Sequence, residues 1–397
     1  MEGRGSTRLA LLGALAWGSM APSAMFVSVQ LRSSGLAYSD IGLVSTASVL
    51  LSSLPQLLFG HMIDKYGRRA ALIKASILIR SFFLSMVALS SDPWSLAFWY
   101  VAASLPLSLF LPSIQSFVAR RSSPESLGTN MALYRLGGSA GWAVVCLVAG
   151  LVASSSSFTV AFALGALLSV VAFIASLGLT DRGPPEDSTP PVEPMRSSAT
   201  LLSGLAFYGS TFLGSLGIGA TSSFVAVLLS ELGGSPSIIG AVLAAGAAAE
   251  VPAMYYGGKL ADRYGPLWIL AAGMAGMGVS YVFYGMVNVL EALVFVQASR
   301  GLFYGLFTVS GMAMSSSLGG TERGGLHAGL YNLVGTLGAS SGPSAGGFMS
   351  DQLGLKSMFA LSSLVSLLGA SLAGGGALAS RGLALRRVPA GGTRVRR

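Results

Sequence analysis

The sequence predicts an all-α integral membrane protein, with twelve transmembrane helices arranged as two pseudo-symmetric six-helix bundles. Three observations carry that expectation. Only 10% of the 397 residues are charged, 52% are hydrophobic, and the mean hydropathy is +0.69. A soluble domain carries roughly a quarter charged residues, so this chain has too little polar surface to cover a globule in water and takes lipid as its solvent. Next, apolar runs recur twelve times at about the 20 residues a helix needs to cross the hydrocarbon. Finally, the second half of the chain repeats the first at a nearly constant shift.

The first six runs fall near 9–29, 41–60, 70–90, 94–118, 128–152 and 158–179. The first is too long for a signal-peptide core of roughly 7–15 residues and leads straight into the second, so it is kept as a span. The other six fall near 200–229, 237–257, 266–287, 290–315, 326–348 and 355–379. Between the two sets, residues 180–199 (TDRGPPEDSTPPVEPMRSSA) hold five prolines and most of the local charge. Such a stretch buries no core and reads as a flexible linker. The expected organisation is therefore a bundle over 1–179, a linker over 180–199, a second bundle over 200–380 and a basic tail over 381–397.

The basic residues set the orientation. One set of connections holds Lys65, Arg68, Arg69, Lys74, Arg120, Arg121, Arg182, Arg196, Lys259, Arg263 and Arg323; the other holds only Arg32 and Lys356. Arg4, Arg8 and the six arginines from Arg381 to Arg397 lie on the rich side. Both termini are thus expected in the cytoplasm of a multi-pass protein of the cell membrane. The net charge of +9 follows from this asymmetry: the tail faces an anionic leaflet rather than nucleic acid. Cys146 stands alone, which excludes an internal disulfide, and His61 and His327 form no metal-ligand pattern. No cofactor is expected.

The duplication is visible residue by residue. At a shift of 198, Ser39, Ile41, Gly42, Val44, Gly60, Asp64, Tyr66 and Gly67 meet Ser237, Ile239, Gly240, Val242, Gly258, Asp262, Tyr264 and Gly265. At 197, Glu125, Gly128, Leu133, Tyr134 and Gly141 meet Glu322, Gly325, Leu330, Tyr331 and Gly338. Duplicated six-span units are the architecture of many secondary carriers, whose binding sites lie near the midplane between the repeats.

Between spans two and three, GHMIDKYGRRA at 60–70 packs four formal charges between apolar runs, and GGKLADRYGPL at 258–268 echoes it. Gly60, Asp64, Lys65, Gly67, Arg68 and Arg69 resemble the signature loop of the major facilitator superfamily, and Gly258, Asp262, Arg263 and Gly265 resemble its second copy. In that copy Pro266 and Leu267 replace the terminal bases, so the first is expected to make the stronger ionic contacts. The resemblance covers the whole chain and implies alternating access between two rocking bundles. Asp64 can accept hydrogen bonds from a facing helix start, where the dipole is positive, or pair with Arg120 or Arg121. Gly60 and Gly258 permit close helix approach. In the family such contacts form when the cytoplasmic side is closed; the alternative is that the bases only obey the charge rule.

Four charges lie inside spans: Arg80, Arg135, Glu250 and Arg300. Charges at such depth cost a few kcal/mol on insertion scales and by default mark a pathway. Glu250 is the one acid so placed, and its repeat partner is Ser52. It is read either as a proton site or as half of an ion pair, with Arg300 the expected partner. Arg135, in LYRLGGSAGW, is a candidate substrate contact or, alternatively, meets the cytoplasmic surface near the start of its own helix; the stretch from Tyr134 to Trp142 resembles the fifth span of sugar-efflux and related carriers. Arg80 bridges to another helix, snorkels or binds substrate. Trp17, Gln115, Tyr134, Tyr208, Tyr304, Tyr331 and Asn332 are candidates to line the cavity or to pack helices.

Three bases against one acid suit a small anionic or polar organic solute, with protons as the expected coupling ion and a monomer as the expected state. Multidrug or sugar efflux by the same fold is the alternative, followed by a non-transporting receptor or scaffold. The Gly-Pro string that drug–proton antiporters of the superfamily carry in span five is missing from GWAVVCLVAG; GPSAGG stands instead in span eleven. An enzyme is not expected. GASSG at 338–342 sits inside an apolar run rather than at a strand-to-helix turn.

Overall fold

The computed structural model describes residues 4–122, 124–181 and 201–386. Among the described residues the regular structure is helical throughout. Prolines and caps decide where helices break. The first span is split into α1 (Arg4–Gly18) and α2 (Ala21–Ser33), with Pro22 in the first turn of α2. Proline lacks the N–H that would continue the ladder but fits a first turn. The second span is split the same way, by Pro55, into α3 (Tyr38–Ser53) and α4 (Gln56–Tyr66).

Next come α5 (Arg69–Leu89), α6 (Pro93–Ala102) and α7 (Leu105–Arg121). The Asp92 side chain caps α6 by accepting from the N–H groups of Trp94 and Ser95. Then follow α8 (Pro124–Ser155) and α9 (Phe158–Ser176). After the linker the chain forms α10 (Leu201–Ser222), α11 (Val225–Glu231), α12 (Pro236–Tyr264), α13 (Pro266–Met286), α14 (Leu290–Leu353) and α15 (Leu355–Arg386).

Among the described residues, eleven stretches are long and apolar enough to cross a membrane. The twelfth expected span, 326–348, lies inside the 64-residue α14. It is helical, but six glycines and three serines dilute its hydropathy. The sequence repeat also recurs in the backbone. Gly35 and Gly233 have φ of 89° and 84°, and Gly67 and Gly265 have φ of 65° and 96°, conformations that favour glycine. Each pair is separated by the shift of 198 read in the sequence. The two pairs mark opposite ends of the helices.

Helices α3 and α14, and helices α8 and α12, pack across the two halves. The contacts are made by small residues. A Cβ on Gly42 would overlap the Pro343 carbonyl, and one on Gly240 would overlap the Cys146 carbonyl. A Cβ on Gly347 would strike the carbonyl of Tyr38, and one on Gly150 would lie 2.8 Å from that of Pro236. These four contacts form two repeat-related pairs.

Candidate functional site

Glu250 sits midway along α12, whose far face packs on the first part of α14 through glycines. A Cβ on Gly305 would lie 2.9 Å from the Glu250 carbonyl, and one on Gly301 would overlap that of Gly246. This close approach sets Glu250 beside Tyr304. The carboxylate is half-buried, and the two cations in its electrostatic range are Arg135 and Arg300. Arg135 belongs to α8, in the other half; it is exposed, and its Nη1 lies 4.0 Å from the Met312 Sδ of α14. Tyr304 and Tyr331 also feel Arg135. Residues from α8, α12 and α14 thus converge on one charged constellation.

The expected ion pair between Glu250 and Arg300 is not made. Arg300 instead donates from Nη2 to the Ser222 hydroxyl at 2.7 Å, and its guanidinium stands 5.9 Å from the centroid of the Tyr304 ring. The hydroxyls of Tyr281 and Tyr284 lie in its range, and Tyr284 donates to Gln297. A hydroxyl and a cage of tyrosines therefore hold this cation away from the carboxylate.

Arg80 is 6% exposed and inside the first set of helices, where its Nη1 reaches the Ala16 carbonyl of α1 at 3.4 Å. Tyr134 is buried too, and accepts a 3.1 Å hydrogen bond from Trp17 Nε1. The glycines of LYRLGGSAGW pack α8 on α1: Cβ atoms at Gly137 and Gly141 would overlap the carbonyls of Ala10 and Ala14. Gln115 and Asn332 are exposed. Tyr208 bonds His327 Nδ1 at 2.6 Å, and the Tyr331 ring stacks on Phe207 at 5.6 Å. His327, set aside in the sequence as a metal ligand, is thus a partner of a cavity candidate. Among the described residues no cluster of three or more His, Cys, Asp or Glu side chains could hold a metal ion.

Among the described residues, neither glycine of the signature loop and its echo touches the other copy. A Cβ on Gly60 would meet nothing within 4 Å, and one on Gly258 only Val309, at 3.7 Å, so neither glycine brings helices together here. The Asp64 side chain lies outside the described residues, while Lys65, Arg68, Arg120, Asp262 and Arg263 are exposed. Arg69 turns inward, donating from Nε to Ser116 Oγ at 2.6 Å and so tying α5 to α7. Arg121 bonds Thr180 Oγ1 at 3.1 Å.

The opposite end is latched by residues the sequence reading did not single out. Arg32 pairs with Glu231 at 3.0 Å, and its guanidinium lies 3.8 Å over the Tyr38 ring. The Tyr38 hydroxyl donates to the same carboxylate at 2.5 Å. The Asp351 carboxylate accepts from the N–H groups of Tyr38 and Ser39, both at 2.9 Å, at the start of α3. In the repeat, Ser154 Oγ accepts from the Ser237 N–H at 2.8 Å, at the start of α12. Unpaired N–H groups and the positive dipole end of each helix are thereby satisfied from the other half. The signal available in the sequence was that Arg32 is a base on the side poor in bases.

Two halves joined at one end, with a charged constellation between them, define a carrier-type membrane transporter. The model of the MFS_1 like family matches residues 9–361, and the chain belongs to that family, one of membrane transporters rather than enzymes. An uncharacterized MFS-type transporter of Methanocaldococcus jannaschii is 28% identical over 161 residues, 41% of this chain and 42% of its own length. The maltose permease of Geobacillus stearothermophilus is 25% identical over 89% of each chain. The 3-(3-hydroxy-phenyl)propionate transporter of Escherichia coli is 25% identical over 78% of this chain and 77% of that one. Among solved structures, a bacterial homolog of the human lysosomal transporter Spinster, inward-facing and unoccupied, has a TM-score of 0.73. It is 14% identical and covers 97% of this chain and 98% of that one.

Proposed function

We propose that this transporter moves a small polar or anionic organic solute across the cell membrane by alternating access, and that Glu250 couples the movement to protons. The observation that carries the reading is the placement of Glu250 on α12 opposite Arg135 on α8, with Arg300 behind it. A carboxylate facing a cation from the other half can exchange that partner for a proton when the halves separate. An anionic substrate group competes with Glu250 for Arg135. Binding and proton movement are then one event, and Arg135 and Glu250 are substrate- and proton-coupling residues, with Arg300 in support. The similarity to a transporter named for a phenylpropionate, itself a carboxylate, supports the anionic choice.

The bundles over 1–179 and 200–380 would be the rocking bodies, with 180–199 as their link. The excess of bases at the end of Gly67 and Gly265 assigns that end to the cytoplasm. The conformation is then closed outside, by Arg32, Tyr38, Glu231 and Asp351, and open to the cytoplasm. In the opposite state Gly60, Asp64, Lys65, Gly67, Arg68, Arg120, Arg121, Gly258, Asp262, Arg263 and Gly265 would form the inner gate. Arg69, engaged with Ser116, would brace α5 against α7 in both states.

A second reading, sugar transport, is favoured by the coverage of the maltose permease match and by Tyr304 and Tyr331 near the constellation. Reconstitution into proteoliposomes distinguishes the two, with organic acids and sugars offered under an imposed pH gradient. Glu250→Gln should abolish gradient-driven accumulation of the acid while leaving exchange partly intact. Accumulation equal to that of the natural protein would remove the coupling role.

A further inference from the structure

At the latched end, apart from the Glu250 constellation, lies a cleft of about 390 Å³. Tyr38 of α3 forms one wall. Glu231 and Leu232 at the end of α11, Leu353 at the end of α14, and Lys356 and Ser357 in the first turn of α15 form the rest. Small-molecule sites occupy about 300–1,000 Å³. Glu231 Oε1 takes the hydrogen bonds of both Arg32 and Tyr38, and Oε2 takes none among the described residues. Arg32 lies in electrostatic range of Asp351 as well, so one base answers two acids. Lys356 is the cation of the cleft. Its Nζ gives one hydrogen to Asn288 Oδ1, and among the described residues its charge is in no ion pair. The N–H groups of the first turn of α15 are not used within that helix, and its dipole is positive here.

An anion alone would face Glu231 in this cleft, and a cation alone would face Lys356. A molecule carrying both charges meets each with its opposite. We propose that the cleft binds an α-amino acid with an apolar side chain. The ammonium donates to Glu231 Oε2, the carboxylate accepts from Lys356 and Ser357, and the side chain covers Leu232 and Leu353. Because Tyr38 comes from the first half and the other walls from the second, the cleft is whole only while this end is shut. A bound ligand therefore holds it shut. In the orientation proposed above it acts from outside as a brake on transport; the binding itself does not rest on that reading.

The Cys146 thiol is buried where α8 meets α12 across the halves. The purified full-length protein would be labelled with a maleimide in the presence of leucine, valine or methionine. Leucine is expected to slow labelling saturably, by about tenfold at roughly ten times its half-saturating concentration. Isocaproate, which lacks the ammonium, and isoamylamine, which lacks the carboxylate, should leave the rate unchanged at the same concentrations. Lys356 is exposed, so Lys356→Gln should fold; it should need at least tenfold or so more leucine for the same slowing, and Lys356→Arg less. The slowing should persist in Arg135→Gln. No effect of any of the three amino acids, or isocaproate as effective as leucine, would overturn the assignment. So would slowing kept in Lys356→Gln but lost in Arg135→Gln, which would place the amino acid at the Glu250 constellation.

Discussion

Gly240 of α12 lies so close to the Cys146 carbonyl of α8 that a Cβ there would overlap the oxygen. Its repeat partner Gly42 stands in the same relation to the Pro343 carbonyl of α14. The glycines are 198 positions apart and the carbonyls 197, the two shifts of the sequence repeat. The closed end is thus sealed by backbone against backbone at two-fold-related points, with the ionic latch outside them.

Replacing Gly240 by Val should open this end. Overpacking a tight contact costs typically about 1–3 kcal/mol, enough to shift a closed-to-open ratio by about five- to 150-fold. Cys146 is the one thiol in the chain and is fully buried, so its alkylation reports the change without an introduced label. The rate of maleimide labelling should rise at least tenfold or so in Gly240→Val. A rate equal to that of the natural protein would show that the glycine is not what permits closure.

Glu231 receives both Arg32 and the Tyr38 hydroxyl. The pair is about a third exposed on each side, at 34% and 37%, and exposed pairs of this kind contribute about 0–1 kcal/mol. Glu231→Gln should therefore leave Tm nearly unchanged while raising Cys146 labelling by a few-fold, and high salt should reproduce part of that rise in the natural protein. A large loss of Tm would mean that Glu231 holds the fold rather than the state.

The Asp351 latch should be insensitive to mild acid. Partial burial opposes its charged form, but the hydrogen bonds from Ser39 and Tyr38 outweigh that and hold the carboxyl below its ordinary value. A depressed folded pKa stabilises the latched form above the unfolded value, and the contribution disappears only as pH falls through the folded one. Cys146 labelling, measured at fixed reagent reactivity, should thus stay flat from neutral pH down to about pH 4 and rise only below it. Asp351→Asn should abolish that acid rise. A transition near pH 6 would assign the latch to another group.

Much of this architecture was legible because periodicity and repetition are properties of the chain itself. The 198-residue shift, most of the apolar runs and the turns at Gly67 and Gly265 could be read from spacing and residue type, whereas α14 runs unbroken through the expected boundary between spans ten and eleven. The latch could not, since Arg32 and Glu231 are 199 positions apart and meet only once α2 and α11 are placed. Glu250 was visible as a lone acid in an apolar run. The place of Arg300 was not, because a cation in the same half suggested a pair with Glu250, while Ser222 and three tyrosines claim that side chain. The packing role of the glycines around Tyr134 was hidden for the same reason: a glycine in a span fits both a cavity wall and a helix crossing.

Arg135 should act on substrate and Arg300 on structure. Arg135 is exposed and, among the described residues, bonded to nothing stronger than a thioether at 4.0 Å, so its removal leaves none of them buried and unsatisfied. Arg135→Gln should preserve Tm and raise KM for an anionic substrate at least tenfold, about 1.4 kcal/mol of lost binding. Arg135→Lys should recover part of it, since a lysine restores the charge but not the fork. Arg300→Gln, by contrast, strips a cation from among Tyr281, Tyr284 and Tyr304 and unpairs the Ser222 hydroxyl. Breaking such an arrangement costs about 1–3 kcal/mol, and it should appear first as a lower Tm. Transport kinetics paired with thermal unfolding on the two variants separate the roles. An Arg135→Gln protein with unchanged KM for every anion tried would move the substrate site away from the interface between the halves.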